Sequence, residues 1–426
     1  MLAKIIHTYW TRLLATALVF ITVLLTSRHL GADGKGLTSL ITTNILLINL
    51  VNEMIGGVSL IYLIPRFSMA PLLIPVVVFT LTSSLALAIV FHYLQIIPPA
   101  YSMHLYLLAV LQTLSNTALY VLLAREKVKA HNYIFLLKTA IGAAYLALFF
   151  VYLGKASVMV FVESLYASNS IPLLVSMGVL VASGNRITIS MRAKDIWQAI
   201  RVMFSFSSQA QMANIIQTLN YRLSFYLLNL FIGTDAVGIY SVTLALCDVV
   251  WMMSKSIGTV QLARIANTSE EAARYQLTRR VVRFSILSCL LLLIPLLLMP
   301  GKVFGFFFGP DFSGVSPLLL AMSPGIALFS INIILANYFA GTGQYFVNLI
   351  ASAIGLAVNS AANMLLIPLI GLTGAAWSAT LTYAAITLYT WLKFNKESPL
   401  ALQDLILNRN DLAKIAAVLG FRNDSL

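Results

Sequence analysis

The chain reads as an all-α, polytopic membrane protein on three observations: its composition, the length of its apolar runs, and the short basic joints that interrupt them. Of its 426 residues, 60% are apolar and 10% charged, against about 25% charged in an ordinary soluble domain. No water-soluble fold hides that much apolar surface. A helix crosses a hydrocarbon layer about 30 Å thick with about 20 apolar residues, and such runs follow one another almost from end to end. The alternation over about ten residues that marks a membrane β-barrel is missing. Backbone groups in lipid must pair within their own segment, so the runs are helices.

The spans are expected at 9–27, 37–64, 70–91, 103–124, 133–153 and 158–182, then at 211–231, 237–260, 284–300, 317–340, 346–367 and 372–392. That makes about twelve transmembrane helices in two pseudo-symmetric six-helix lobes. The organisation predicted is an N-terminal lobe over 1–182, a basic cytoplasmic linker over 183–200, a C-terminal lobe over 201–393 and an amphipathic cytoplasmic tail over 394–426. Cytoplasmic loops hold the excess of Lys and Arg. With the N-terminus inside, twenty cations fall on inner segments and four, Arg28, Lys35, Lys155 and Lys302, on outer loops. Both termini are therefore expected in the cytoplasm.

The two-lobe expectation rests on an internal repeat. Shifting the chain by 202 positions lays Leu30-Gly-Ala-Asp-Gly-Lys-Gly-Leu-Thr-Ser39 over Ile232-Gly-Thr-Asp-Ala-Val-Gly-Ile-Tyr-Ser241, with four identities in ten. Six spans per copy is an even number, so the copies share one orientation about an axis along the membrane normal, which is a transporter architecture.

Several function classes drop out. The net charge of +13 is spread over the joints rather than gathered into a basic nucleic-acid-binding domain. Cys247 and Cys289 lie inside spans, where they read as small buried hydrophobes. No P-loop is present, and Gly31 to Gly36 lacks the spacing of a dinucleotide fingerprint. The five histidines show no metal-ligand spacing. No enzyme, metal or cofactor is predicted.

With spans, joints and repeat in place, the chain resembles the polysaccharide (Wzx-type) flippases of the multidrug/oligosaccharidyl-lipid/polysaccharide exporter superfamily, over about residues 9–393. The resemblance is carried by Leu30-Gly31 to Gly36, Gly238-Ile-Tyr-Ser241, Ala263-Arg-Ile-Ala266, Phe308-Gly-Pro-Asp-Phe312, Gly341-Thr-Gly-Gln344 and Leu366-Ile-Pro-Leu-Ile-Gly-Leu-Thr-Gly-Ala-Ala376, in that order and spacing. It implies a multi-pass protein of the bacterial inner membrane that moves undecaprenyl-diphosphate-linked oligosaccharide to the outer leaflet by alternating access. An O-antigen, capsule or exopolysaccharide repeat unit is the implied cargo, since the two extra C-terminal spans of the lipid II branch are lacking. Membrane lipid, H+ or Na+ as coupling ion, a polysaccharide polymerase and a chain-length regulator are the implied partners. The alternative is a drug or organic-cation antiporter of the same superfamily.

A diphosphate and sugars cannot cross hydrocarbon unaided, so charged and polar groups inside spans are the candidates. Arg222 leads, nine residues or about 13.5 Å from the outer end of its span, in a stripe with Gln211, Asn214, Gln217, Thr218 and Tyr221. Lys138, Lys255 and Arg12 are closer to cytoplasmic span ends, where snorkelling competes with cavity lining. Asn359 belongs to a polar face with Asn348, Ser352 and Asn363. Glu53 is the candidate for ion coupling: it is expected mid-span, with Asn49 on the same face and Gly56-Gly57 permitting a bend one turn later. Asp248 is the second such candidate, seven residues from Lys255 and expected too far for direct contact. Glu163, near an outer span end, is expected to be solvated.

Overall fold

The computed structural model describes residues 2–182 and 193–398. Most of the expected basic linker and tail, at 183–192 and 399–426, lies outside the described residues. Among the described residues there is no strand. The helices are α1 (Leu2–Asn52), α2 (Ser59–Leu63), α3 (Met69–Tyr93), α4 (Ser102–Ala124), α5 (Val128–Leu146), α6 (Val158–Ala182), α7 (Ala193–Phe231), α8 (Thr234–Ala266), α9 (Glu271–Leu298), α10 (Gly301–Phe308), α11 (Val315–Gly341), α12 (Tyr345–Ile370) and α13 (Leu372–Glu397).

Each expected span falls on one of these helices, with three differences. The first two spans merge into α1, whose only departure from helical geometry is Gly31 at φ 69°; the expected outer loop there is a kink, which a glycine adopts without the Cβ clash that an L side chain would meet. The second span does not run on to residue 64 but stops at Asn52, and α2 resumes after a turn. Span seven is the end of a longer helix, α7, which takes in the last residues of the expected linker. Among the described residues nine helices are long and apolar enough to cross a membrane. Counting the kinked α1 once, and the polar content of α7 and α13, account for the difference from twelve.

The helices expose large apolar side chains and bury polar ones within their contacts. On α3 the buried face carries Thr80 and Ser84, while Val78, Leu81, Leu85 and Ile89 are exposed. On α6 Ser164, Ser168, Asn169 and Ser176 are buried and Leu174 and Val181 face outward. On α12 the buried pair is Asn359 and Asn363, against exposed Met364, Leu365 and Leu369. Lipid tails solvate the exposed faces, leaving small residues and hydrogen-bonding groups for helix contacts.

The chain forms two compact units, one of the described residues up to Val242 with Phe304–Ser313, the other of Thr243–Val303 and the described residues from Gly314 on. In the first, α5 packs on α6 and α1, and α2, α3, α4 and α7 meet around Ile55, Leu60, Leu63, Leu72, Val76, Val121 and Met203. In the second, α13 packs on α11 and α12. Its centre is Trp251, whose indole donates to the Ile326 carbonyl at 3.0 Å, with the rings of Phe329 and Tyr383 at 4.9 and 5.3 Å. Cys247 and Cys289 are free and buried.

Candidate functional site

The break after α1 places Glu53 at the head of a polar network. Gly56 and Gly57 both take positive φ, 111° and 54°, so the backbone turns where side chains would strain it. An interrupted helix inside an apolar layer exposes carbonyls that need donors. The Gly56 carbonyl finds two, the hydroxyls of Ser59 at 2.5 Å and Ser207 at 2.9 Å. Ser207 lies on α7, so the break also fixes that helix against α1.

The Glu53 carboxylate accepts three hydrogen bonds: from Asn116 Nδ2 at 3.3 Å, Tyr120 OH at 3.3 Å and Gln211 Nε2 at 3.4 Å. Asn116 Oδ1 in turn accepts from Lys138 Nζ at 3.2 Å, and Gln211 Oε1 from Asn214 Nδ2 at 3.2 Å. A carboxylate and an ammonium are thus joined through one amide rather than in direct contact. Four elements supply the group: the end of α1, α4, α5 and α7. One residue before, Asn52 Nδ2 donates to Ser84 Oγ at 2.9 Å and Thr113 Oγ1 at 2.8 Å, and one turn before, Asn49 Oδ1 accepts from Thr113 Oγ1 at 2.5 Å. Chemically, Glu53 can hold a proton or a small cation while its neighbours keep either state hydrogen-bonded.

A second cluster in the same unit is cationic. Lys35 is buried at 8% exposure, and the charge of Arg222 is close enough to act on it and on the phenol of Tyr226. Tyr226 OH donates to Asn44 Oδ1 at 2.6 Å, and the Asn44 amide nitrogen, also buried, has no protein partner. Arg222 stands over the Phe225 ring at 4.9 Å. The expected outer-loop position of Lys35 is corrected: it lies within α1 and is buried, under the charge of Arg222 on α7.

The polar stripe on α7 divides between the clusters. Gln211 is buried and Asn214 exposed at the Glu53 end, Arg222 stands about 16 Å further along the same helix, and Gln217 and Tyr221 lie between, exposed and half-buried. Arg12 is exposed on α1. In the other unit, Lys255 Nζ contacts Asp248 Oδ1 at 2.8 Å, with both side chains about half exposed at 48% and 56%. That overturns the expected separation. Two helical turns rise only about 10.5 Å, and a lysine arm leaning toward the helix N-terminus bridges the gap. Asn359 is buried, its backbone carbonyl accepting from Asn363 at 2.8 Å. Glu163, expected to be solvated, accepts from Tyr145 OH at 3.0 Å.

Asn116, Tyr120 and Lys35 were not among the expected residues. Asn116 and Tyr120 repeat on α4 the i, i+4 spacing of Asn49 and Glu53, a signal present in the sequence. Lys35 sat in an assumed loop, and nothing local marked it as buried.

A relative from Haloferax volcanii, described as a probable low-salt glycan biosynthesis flippase, Agl15, is 23% identical over 220 residues, or 50% of this chain and 46% of that protein. The chain thus spans about half the length of the curated relative it matches. Among solved structures, the lipid II flippase MurJ in an inward closed conformation superposes with a TM-score of 0.66 over 100% of this chain and 94% of that one, at 14% identity. An inward-facing multidrug resistance MATE family transporter of the MOP superfamily gives 0.64 over 90% and 94%, at 13% identity. No protein-family model matches the chain. The chain has the fold of MurJ and the MATE transporters, and the resemblance read from its sequence is borne out.

Proposed function

We propose that this chain is a flippase that carries an undecaprenyl-diphosphate-linked oligosaccharide from the inner to the outer leaflet of a bacterial inner membrane, by alternating access of two six-helix lobes. The observation that carries the reading is buried Lys35 under the charge of Arg222, with the buried Asn44 amide nitrogen left without a protein partner. A cation in the middle of a span costs about 2.5–3.5 kcal/mol, and two that repel each other cost more. An anion arriving between them offsets that cost. A diphosphate brings the right charge, and Arg offers it a planar fork of donors. Agl15 is described as a probable glycan biosynthesis flippase and MurJ as a lipid II flippase, which supports a glycan or lipid cargo.

The cargo we assign is an O-antigen, capsule or exopolysaccharide unit, handed on to a polymerase and its chain-length regulator. Glu53 is assigned to coupling with H+ or Na+. The competing reading, a drug or organic-cation antiporter, draws on the same fold and on Glu53, whose carboxylate suits a cationic cargo. The deciding experiment is flipping of a fluorescent undecaprenyl-diphosphate oligosaccharide in proteoliposomes beside uptake of an organic cation. Cargo flipping that Arg222→Ala removes supports the first reading; cation uptake that survives Arg222→Ala and fails in Glu53→Gln supports the second.

A further inference from the structure

Ahead of its expected span, α7 has two opposite faces. On one, Ala199, Met203, Ser207 and Gln211 recur every fourth residue and are buried. Ala199 and Met203 pack with Leu60, Leu63 and Val76, while Ser207 donates to the Gly56 carbonyl and Gln211 to the Glu53 carboxylate. That line fixes the helix on the first unit, and side chains on the other face are displayed from a rigid support.

The other face lines a cavity of about 570 Å3 with Trp197, Ile200, Arg201, Phe204, Ser205 and Ser208. Ligand sites span about 300–1,000 Å3. Trp197 is 70% exposed and Phe204 50%, and Arg201 and Ser205 are exposed between them. Trp197, Arg201, Ser205 and Ser208 follow one another at helical spacing, so an indole, a guanidinium and two hydroxyls share one stripe.

Height decides between occupants. The span is expected to begin at residue 211, and at about 1.5 Å per residue Ser208 stands about 4.5 Å, Arg201 about 15 Å and Trp197 about 21 Å before it. The headgroup layer is about 5–8 Å deep on each side of the hydrocarbon, so of these three only Ser208 lies within it. An interfacial tryptophan sits at headgroup level. Trp197 stands well beyond that level, and a helix tilt of about 20° lowers it little. A phospholipid headgroup therefore falls short of Trp197 and Arg201. The sugars of a lipid-linked oligosaccharide reach them, because the lipid chain holds the diphosphate at headgroup level and the sugars project outward from it. The apolar C–H face of a pyranose ring lies flat on an indole, and guanidinium and hydroxyl groups donate to sugar oxygens.

We propose that this face of α7 is a docking site for the oligosaccharide of the cargo on the expected cytoplasmic side, engaged before the diphosphate moves on to Lys35 and Arg222. The proposal rests on the flippase reading. Its test is the binding of two fluorescent probes to the full-length protein in detergent: undecaprenyl diphosphate carrying one sugar, and the same lipid carrying a tetrasaccharide. The parent protein should bind the tetrasaccharide probe about tenfold more tightly. Trp197→Ala combined with Arg201→Ala should bring that ratio to about one while the one-sugar affinity stays unchanged. Trp197→Tyr, which keeps a flat ring, should retain most of the preference. A preference absent from the parent, or kept by the double variant, overturns the docking site and leaves the flippase reading standing. Equal weakening of both probes in the double variant, with an anionic phospholipid competing for the parent, would make the face a headgroup site and overturn the proposal as well. Binding of neither probe by the parent would bring down the flippase reading and this site with it.

Discussion

Glu53 with Lys138 and Asp248 with Lys255 are the same two charge types held in opposite ways. The first pair is half-buried and joined through the Asn116 amide, with Tyr120 and Gln211 completing the carboxylate's partners. The second is a direct contact at 2.8 Å between half-exposed side chains on one helix. A direct pair neutralises itself and has nothing left to offer. An amide-bridged pair keeps both charges available, because loss or gain of a proton on the carboxylate leaves the lysine still anchored. The cluster of Lys35 and Arg222 instead brings two charges of one sign within reach of each other, which suits cargo of the other sign.

The comparison ranks the expected effects. The largest belongs to Arg222: removing one partner of a desolvated charge contact costs about 2 kcal/mol or more, roughly thirtyfold or more in affinity. Arg222→Ala should therefore nearly abolish flipping at unchanged membrane insertion, and Arg222→Lys should restore only part of it. Flipping by Arg222→Ala at the normal rate would remove the cationic cluster from the mechanism.

Next comes Glu53→Gln. The amide keeps the shape and some hydrogen bonds but cannot exchange a proton, so transport driven by an imposed pH gradient should lose its response to that gradient while cargo binding remains. An unchanged response would reduce Glu53 to a hydrogen-bonding residue at the helix break. Asn116→Ala should follow with a several-fold loss of the same gradient response, since it unlinks Lys138 from Glu53 and leaves the remaining buried groups short of a partner worth about 1–3 kcal/mol.

Lys255→Ala and Asp248→Ala should do least. Exposed ion pairs contribute about 0–1 kcal/mol, so thermal stability in detergent and flipping rate should both stay close to those of the parent protein. A large loss in either single variant would mean that Asp248, the second ion-coupling candidate, acts beyond its pairing with Lys255, and would erase the contrast between the two pairs.

Much of the architecture was legible along the chain. An apolar run reports its own preference for lipid, because transfer from water adds up along a local segment. Hence the spans fell on helices, and the repeat at Gly31 and Gly233 marked two turns that both carry positive φ. The paired glycines after Glu53 announced an irregularity for the same reason: conformational freedom belongs to the residue itself.

Partnership between side chains was not local. Glu53 meets Asn116, Tyr120 and Gln211 across 63, 67 and 158 positions, and those meetings depend on how far each helix is rotated about its axis. Packing of neighbouring helices sets that rotation, through small and hydroxyl-bearing faces that look alike in sequence. Lys35 shows the consequence: its charge and its place beside a glycine turn suggested an outer loop, and only the tertiary packing made it a buried cation within reach of the charge of Arg222.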